Sequence, residues 1–467
     1  MRQRLTNLRI PTGGNGRAFR EILVVEGTIA DITPCGESAE GPDTEIVDLG
    51  GALVLPGVID GHVHFDDPGF THRETFETGT RAAAAGGVTC IVDMPCTSLP
   101  PVISRSALRR KLEVVRPKAH VDFMLWGGVS GNAVEKAGWR GELVALVAAG
   151  VASIKIYMLS GMDTFRDLSS RAVEEVLVET KKLGIPTGVH AEDKALVLSL
   201  EGRLKEEGKK GPLDYAASRP ASCEVSAVET LRDLCRKTGA PVHVVHVGSG
   251  SALDVIREAR REGLPMTGET CPHYLEFTTQ DLEEQGGKLK TAPVVKEASD
   301  RKSLWEGLKE GSLEFVATDH APGVWPEEKA TGSIWTDYGG VPGVELSLPY
   351  LYSEGVLKGR LDLQRLTEIT AEAPARFFGI SSRKGRIAPG FDADFAVLDE
   401  KATWTVRGEN LHNLNRYTPL EGRNLTGRIA RTVLRGKTVY ARDLDGTETF
   451  GNAGVGQWIR RETEISE

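Results

Sequence analysis

The residues with the clearest chemical meaning are two histidines in the stretch Asp60-Gly61-His62-Val63-His64, which follows a predicted strand ending near Ile59. Residues two apart along a strand point to the same face, so His62 and His64 can reach one metal ion together. Imidazole nitrogen is a common ligand of zinc and related ions. A single pair of this kind is more often structural or exposed, so a metal centre needs further ligands elsewhere in the chain.

Three more residues with metal-binding side chains lie at the ends of β-like runs: His190, His246 and Asp319. The chain has 10 histidines, and four of them occupy such positions together with this aspartate. Any one of these histidines could be a hydrogen-bonded core residue. The combination instead favours a metal centre that is assembled from several strand ends.

Lys155 lies inside the apolar run Ser153-Ile154-Lys155-Ile156-Tyr157-Met158. A buried amine is costly unless it is paired. One interpretation is a lysine whose stem is buried while its amine reaches solvent. The other is a lysine whose side-chain nitrogen has reacted with carbon dioxide, because the resulting carbamate has two oxygens that suit a bridge between two cations.

These residues need a scaffold that brings many strand ends together. Between about residues 53 and 375, short β-like runs alternate with helical stretches such as Arg171 to Leu183 and Ser251 to Glu262. Such repetition predicts a parallel sheet, and the number of repeats predicts a closed (β/α)8 barrel of the TIM type. An open, doubly wound α/β sheet is the alternative. Barrel enzymes keep their active sites at the carboxyl ends of the strands, where the candidate ligands fall.

The two ends of the chain are β-rich and flank this α/β region. We expect residues 1–52 and 376–450 to pair into one small β-sandwich domain, with the barrel formed by residues 53–375 between them. Residues 451–467 read as a polar tail, expected to be loosely ordered.

The composition of the chain argues against several classes of function. The chain has 467 residues and a formal net charge of -9, which argues against a nucleic-acid partner because that needs a basic face. The six cysteines form no CxxC pair and are too sparse for a disulfide scaffold, so reduced thiols in the cytoplasm are the simplest interpretation. No apolar segment is typical of a signal peptide or of a membrane span.

Taken in chain order, the pair of histidines, the lysine, two further histidines and the aspartate resemble the amidohydrolase superfamily. Within it, the chain is similar to the cyclic amidohydrolases, which include dihydroorotases, allantoinases and hydantoinases. The stretches that carry this resemblance are Leu55 to His64, Glu77 to Thr89, Cys271-Pro272-His273-Tyr274-Leu275, Thr318-Asp319-His320-Ala321-Pro322 and Gly385 to Asp394.

The resemblance implies two divalent metal ions, with zinc favoured. His62, His64 and Asp319 would bind the more buried ion, His190 and His246 the second, and carboxylated Lys155 would bridge both. A hydroxide held between the ions would attack the amide, and Asp319 would carry the proton to the leaving nitrogen. The resemblance also implies a homodimer or homotetramer that acts on a small cyclic amide.

Three positions depart from the dihydroorotase pattern for holding a substrate carboxylate. Asp66 replaces an arginine, Cys96 an asparagine and Gly323 a histidine, and an acidic group at position 66 would repel a carboxylate. With Ser160, these three are the candidate substrate contacts. The stretches Met94 to Pro101 and Ala217-Ser218-Arg219-Pro220 instead resemble allantoinases, although Ala321-Pro322 stands where those enzymes have Ser-Pro.

A neutral cyclic ureide is therefore favoured as substrate, with allantoin first. The alternatives are a hydantoinase or dihydropyrimidinase, or a dihydroorotase in which Lys290 or Lys296 holds the carboxylate. Two readings from other classes are an inactive scaffold relative and a metal-free barrel that binds sugars or phosphates. The filled ligand positions argue against the former, and the absence of a typical phosphate loop argues against the latter.

Overall fold

The computed structural model describes residues 2–37 and 43–462. Its first strands are β1 (Arg2–Pro11), β2 (Arg17–Val25), β3 (Thr28–Pro34), β4 (Glu45–Asp48) and β5 (Leu53–Pro56). β1, β2 and β3 are antiparallel, whereas β4 and β5 pair with β1 in parallel. The strands bury one face in a small core of their own that includes Leu8, Ile22 and Val54.

A ring of parallel strands follows. They are β6 (Val58–Val63), β7 (Val88–Asp93), β8 (Asp122–Leu125), β9 (Gly127–Gly128), β10 (Ile154–Tyr157), β11 (Thr187–His190), β12 (Val242–Val244), β13 (Met266–Thr270) and β14 (Phe315–Val316). The short β9 continues the line of β8, since only Trp126 separates them, and it pairs with β10. The ring closes where Val63 bridges to His320 and His64 N donates to His320 O. Nearly every residue of these strands is buried, as expected for a barrel covered by helices.

Helices connect and cover the barrel strands. They are α1 (Phe76–Ala85), α2 (Arg105–Val115), α3 (Gly131–Val134), α4 (Trp139–Ala149), α5 (Ser170–Lys182), α6 (Lys194–Glu206), α7 (Pro212–Ser218), α8 (Ala221–Thr238), α9 (Gly250–Arg261), α10 (Pro272–Glu276), α11 (Thr279–Gln285), α12 (Ala298–Glu310), α13 (Ser347–Tyr350), α14 (Leu363–Thr367) and α15 (Ala373–Phe377). Ser169 and Ser249 cap α5 and α9 by accepting from the third helical N–H. Among the described residues, no helix is long and apolar enough to cross a membrane.

The last strands return to the first ones. β15 (Phe395–Thr405), β16 (Asn424–Leu434), β17 (Lys437–Arg442) and β18 (Glu448–Phe450) form an antiparallel run. β15 pairs with β5, which joins both ends of the chain in one nine-stranded sheet. The predicted fold class, a TIM-type barrel with a β domain built from both termini, is confirmed. The sheet includes Leu53–Pro56, which extends it past the boundary predicted at residue 52.

The segment after β18 differs from the expected loose tail as far as Glu462. Gln457 O accepts a hydrogen bond from Phe123 N at 2.9 Å, and Ile459 N donates to Phe123 O at 2.8 Å. Ile459 is buried and Trp458 is partly buried against the core, so apolar side chains in a polar stretch anchor the segment beside β8. The remaining residues of that prediction, 463–467, lie outside the described part of the chain.

A buried ion cluster ties the β domain to the amino-terminal end of the barrel. Lys384 Nζ lies 2.8 Å from Asp122 in β8, 2.9 Å from Asp392 and 2.5 Å from Asp394. Burial alone would lower the pKa of Lys384, but Asp394, Asp122 and Asp392 raise it well above its ordinary value. Arg435 adds a second cation beside Asp122. The lysine thus occupies the centre of an acidic cluster and contacts all three of its carboxylates.

Replacing Lys384 by methionine should lower the free energy of unfolding by about 3–5 kcal/mol, because three carboxylates lose their shared cation. Urea denaturation followed by circular dichroism measures the change. Lys401→Met, at an exposed position of β15, is the control and should change the value by less than about 0.5 kcal/mol. Equal urea midpoints for the two variants would contradict the role given to this cluster.

Candidate metal centre and active-site cavity

The first group of candidate ligands meets where β6 and β14 end. His62 lies in β6, His64 follows it, and Asp319 follows β14. Asp319 Oδ1 lies 3.1 Å from Nε2 of both His62 and His64. Burial alone would raise the pKa of Asp319, but the two histidines hold it well below its usual value. The carboxylate is therefore ionised and aimed, with two imidazole nitrogens, at one point.

The second group lies at the ends of β11 and β12. His190 Nδ1 and His246 Nε2 are 3.0 Å apart, and the rings of His62 and His246 lie 5.4 Å apart between centroids. Burial lowers the pKa of His246 well below its usual value, and His190 and Lys155 lower it further. Burial likewise lowers the pKa of His190, against the opposing effect of Glu192. Both rings are thus neutral, which is the form that binds a metal.

Lys155 lies in β10 and is completely buried. Within the described residues, its Nζ has no hydrogen-bond partner, and the ring of Tyr157 is 4.7 Å away. Burial lowers the pKa of Lys155 to about 8. The structure therefore excludes an amine that reaches solvent, and it leaves the nitrogen without any hydrogen bond to offset its burial.

Backbone strain is concentrated at the same strand ends. His246 has a φ of 42° and Asp319 a φ of 49°, and Asp66 near the first group has a φ of 43°. Left-handed conformations at non-glycine residues cost on the order of 1–3 kcal/mol and cluster at functional sites. Two of the candidate ligands are thus held in conformations that the surrounding structure must enforce.

Carboxylates behind the histidines fix the orientation of the rings. Glu269 in β13 lies 2.7 Å from His62 Nδ1, and Glu192 lies 2.8 Å from His190 Nε2. Arg219 in turn donates to Glu192 at 2.6 Å. Such partners set the tautomer and direction of ligating histidines. Sequence reasoning missed Glu269, although a charged residue inside a strand was the signal that singled out Lys155.

A cavity of about 490 Å³ opens above these residues. Its walls include all the candidate metal-binding histidines, Asp319 and Tyr157, and its outer part is lined by segments around residues 159–162 and 335–340. Lys155 does not itself line the cavity, but its amine lies 4.7 Å from the ring of Tyr157, which does. The volume suits a small molecule, which agrees with the expected substrate class.

The four candidate substrate contacts are placed differently. Ser160 lines the cavity, whereas Asp66, Cys96 and Gly323 are buried beside it and do not form its wall. Cys96 Sγ lies 3.1 Å from the hydroxyl of Tyr157. A Cβ atom at Gly323 would lie 2.7 Å from the ring of Tyr338, so a histidine does not fit at this position without rearrangement.

The two lysines considered as alternative carboxylate-binding residues also differ. Lys296 forms a buried ion pair with Glu224 at 3.0 Å and is already compensated. Lys290 lines the cavity, and its amine donates to the carbonyl of Asp337 at 2.5 Å. Only Lys290 of this pair is therefore in a position to meet a substrate.

Known proteins resemble this chain over nearly its whole length. A model described as the Amidohydrolase family matches residues 53–439. An allantoinase of Rubrobacter xylanophilus is 37% identical over 453 residues, covering 97% of this chain and 96% of the relative. An allantoinase of Deinococcus radiodurans is 35% identical over 426 residues, covering 91% of this chain and 92% of the relative.

The solved structures that resemble this chain also carry the names of cyclic amidohydrolases. An L-hydantoinase (dihydropyrimidinase) from Arthrobacter aurescens has a TM-score of 0.92 at 32% identity and covers 98% of this chain and 99% of its own. A dihydropyrimidinase from Brevibacillus agri has a TM-score of 0.91 at 31% identity, with 99% of each chain covered. The resemblance drawn from the sequence motifs is confirmed: the chain belongs to the amidohydrolase family and is a cyclic amidohydrolase.

Proposed function

We propose that this enzyme hydrolyses the ring amide of a neutral cyclic ureide, with allantoin as the favoured substrate. The observation that carries the proposal is the convergence of two ligand groups above the buried amine of Lys155. His62, His64 and Asp319 form one group, and His190 and His246 form the other. Both face one cavity of a size suited to a small ring.

The donor set fits the two-metal site that the amidohydrolase family implies. His62, His64 and Asp319 offer ligand atoms that all lie within 4.8 Å of one another. His62 Nε2 has no aligned hydrogen-bond partner among the described residues, as expected of an atom oriented to bind a metal. Histidine nitrogens with one carboxylate suit zinc, which is the ion we favour. His190 and His246 would hold the second ion.

Lys155 is the proposed bridge, as a carbamate on its side-chain nitrogen. The amine adds to carbon dioxide, so that an N–C bond forms, one C=O π bond becomes a carboxylate oxygen and a proton leaves the nitrogen. The product is an anion with two oxygens. Its support is the complete burial of an amine that has no hydrogen-bond partner in the described part of the chain. Two cations would offset the cost of burying the carbamate's charge.

The chemistry divides between the ions and the chain. Two bound divalent ions supply Lewis acidity, which activates water and the amide carbonyl. Asp319 is the proposed general base: its carboxylate takes the proton from the attacking water and returns it to the leaving ring nitrogen. Glu269 and Glu192 keep the rings of His62 and His190 in place during these steps.

We favour a neutral ring as the substrate because of the residues at and around the cavity wall. The three positions where dihydroorotases carry carboxylate-binding side chains hold Asp66, Cys96 and Gly323, and none of these lines the cavity. The allantoinase relatives support allantoin, and the hydantoinase and dihydropyrimidinase structures make hydantoin and dihydrouracil the second candidates. A homodimer or homotetramer stays a prediction of the family resemblance, and a location in the cytoplasm stays a prediction of the cysteine pattern.

A substrate panel tests the proposed function. Zinc-loaded enzyme should hydrolyse allantoin or hydantoin, whereas kcat/KM for dihydroorotate should be at least about ten- to a hundredfold lower. The reason is the absence of charged hydrogen bonds, worth about 1.5–3 kcal/mol, at the three carboxylate-binding positions. Efficient hydrolysis of dihydroorotate, with both neutral rings untouched, would overturn the proposal.

Metal content tests the ligand assignment. Enzyme prepared with zinc and bicarbonate should hold about two ions per chain by elemental analysis. His246→Asn should hold about one ion or fewer and lose activity, while keeping its circular dichroism spectrum because the ligand lies beyond the strand that carries it. The control is His72→Asn, whose side chain is exposed and should leave both ions in place. A full metal load in His246→Asn would refute the assignment.

Lys155→Ala should lose metal and activity together, because the bridging anion is removed. Acetate or propionate should restore part of both by entering the space left by the side chain. Elemental analysis and activity at increasing acid concentration measure the effect, with Lys182→Ala on the exposed face of α5 as control. A crystal structure with Lys155 as a free amine directed away from bound metals would contradict the carbamate.

A further inference from the structure

Lys290 occupies an unusual place in the cavity wall. It is 6% exposed, and its amine lies 4.8 Å from the ring centre of Tyr215. The amine donates to the carbonyl oxygen of Asp337. Tyr215 and Asp337 also line the cavity, so the amine lies between two residues of the cavity wall.

The positive charge of Lys290 has no close counter-charge. Within the described residues, no carboxylate oxygen lies within 4.0 Å of its nitrogen. Arg219, whose charge acts on Lys290, is itself compensated by Glu192 at 2.6 Å. Burial and the charge of Arg219 lower the pKa of Lys290 to about 8, against the opposing effect of Asp337. A cation in this situation gains from any acceptor that enters the cavity.

The amine also has donors to spare. An ammonium group carries three N–H donors, and the structure uses one of them, toward the carbonyl of Asp337. A hydrogen bond from a charged donor contributes about twice as much as a neutral one. An oxygen acceptor on the substrate would therefore meet a preorganised donor whose side chain is already held by Asp337 and Tyr215.

We propose that Lys290 is a specificity-determining residue, which donates a hydrogen bond to an oxygen acceptor on the substituent of the substrate ring. The inference rests on the proposed function and refines it: the substrate carries a carbonyl-bearing group, such as the ureido group of allantoin, beside the amide that is cleaved. Rings with an alkyl substituent of similar length leave the amine unpaired and are poorer substrates. The unsubstituted hydantoin ring does not reach Lys290 and is indifferent to it.

The test compares three substrates in wild-type enzyme and Lys290→Met: allantoin, 5-propylhydantoin and unsubstituted hydantoin. Lys290→Met should lower kcat/KM for allantoin by about ten- to a hundredfold, the worth of one charged hydrogen bond. Its kcat/KM for hydantoin should stay within about threefold of wild type. Lys290→Gln keeps a donor and should lose less than Lys290→Met. Lys288→Met, the same change outside the cavity wall, is the matched control.

The outcomes separate this inference from the proposed function. Equal losses on allantoin and hydantoin, or no loss on allantoin, would overturn the role of Lys290. A wild-type enzyme that hydrolyses neither neutral ring would instead overturn the proposed function. A loss on 5-propylhydantoin as large as the loss on allantoin would also overturn it, because the propyl group has no oxygen acceptor. Metal content and thermal unfolding of Lys290→Met should match wild type, and Lys290→Gln repeats the test if Lys290→Met unfolds early.

Discussion

The cost of removing a charged side chain from water determines what each buried lysine needs as a partner at the two ends of this barrel. At the amino-terminal end, Lys384 is buried among three aspartates and its charge is fully compensated. At the carboxyl end, Lys155 is buried without a hydrogen-bond partner among the described residues. In the first arrangement the opposite charges offset the cost of burial, whereas in the second no group of the described chain offsets it. The contrast separates the stabilising end of the barrel from the reactive end.

Around the reactive end, each ligand group depends on a further layer of polar residues. Glu269 holds His62, and the chain from Arg219 through Glu192 holds His190. These carboxylates come from β13 and from the loop after β11, so strands distant in sequence fix one another's side chains. Left-handed backbone conformations at His246 and Asp319 add a second constraint on where the ligands point. The rigidity of the barrel therefore matters for the candidate site, since His62 and His190 are positioned by residues from neighbouring parts of the fold.

Local sequence signals were enough to predict the fold class and to single out the residues that the structure brings together at the candidate site. The alternation of strand and helix repeats many times, and each candidate ligand directly follows a β-like run or lies within it. The positioning residues could not be predicted in the same way, because Glu269 contacts His62 only after the barrel closes. The motif positions of Asp66 and Gly323 also did not show whether these residues line the cavity, because that depends on the path of the backbone in the folded chain. The tail was interpreted as polar because its apolar residues, the buried Ile459 among them, are scattered and are followed by a run of charged ones.

The pairing of β5 with β15 has a consequence for biosynthesis. Pro56 finds its partner in Phe395, so the hydrogen-bonding edge of β5 stays open while the whole barrel is being translated. Unpaired strand edges on partly made chains are sites of wrongful association. Residues 457–459, which hydrogen-bond to Phe123 in β8, are likewise translated only after all the strands of the barrel. In the order of translation, closure of the barrel between Val63 and His320 therefore precedes completion of the nine-stranded sheet.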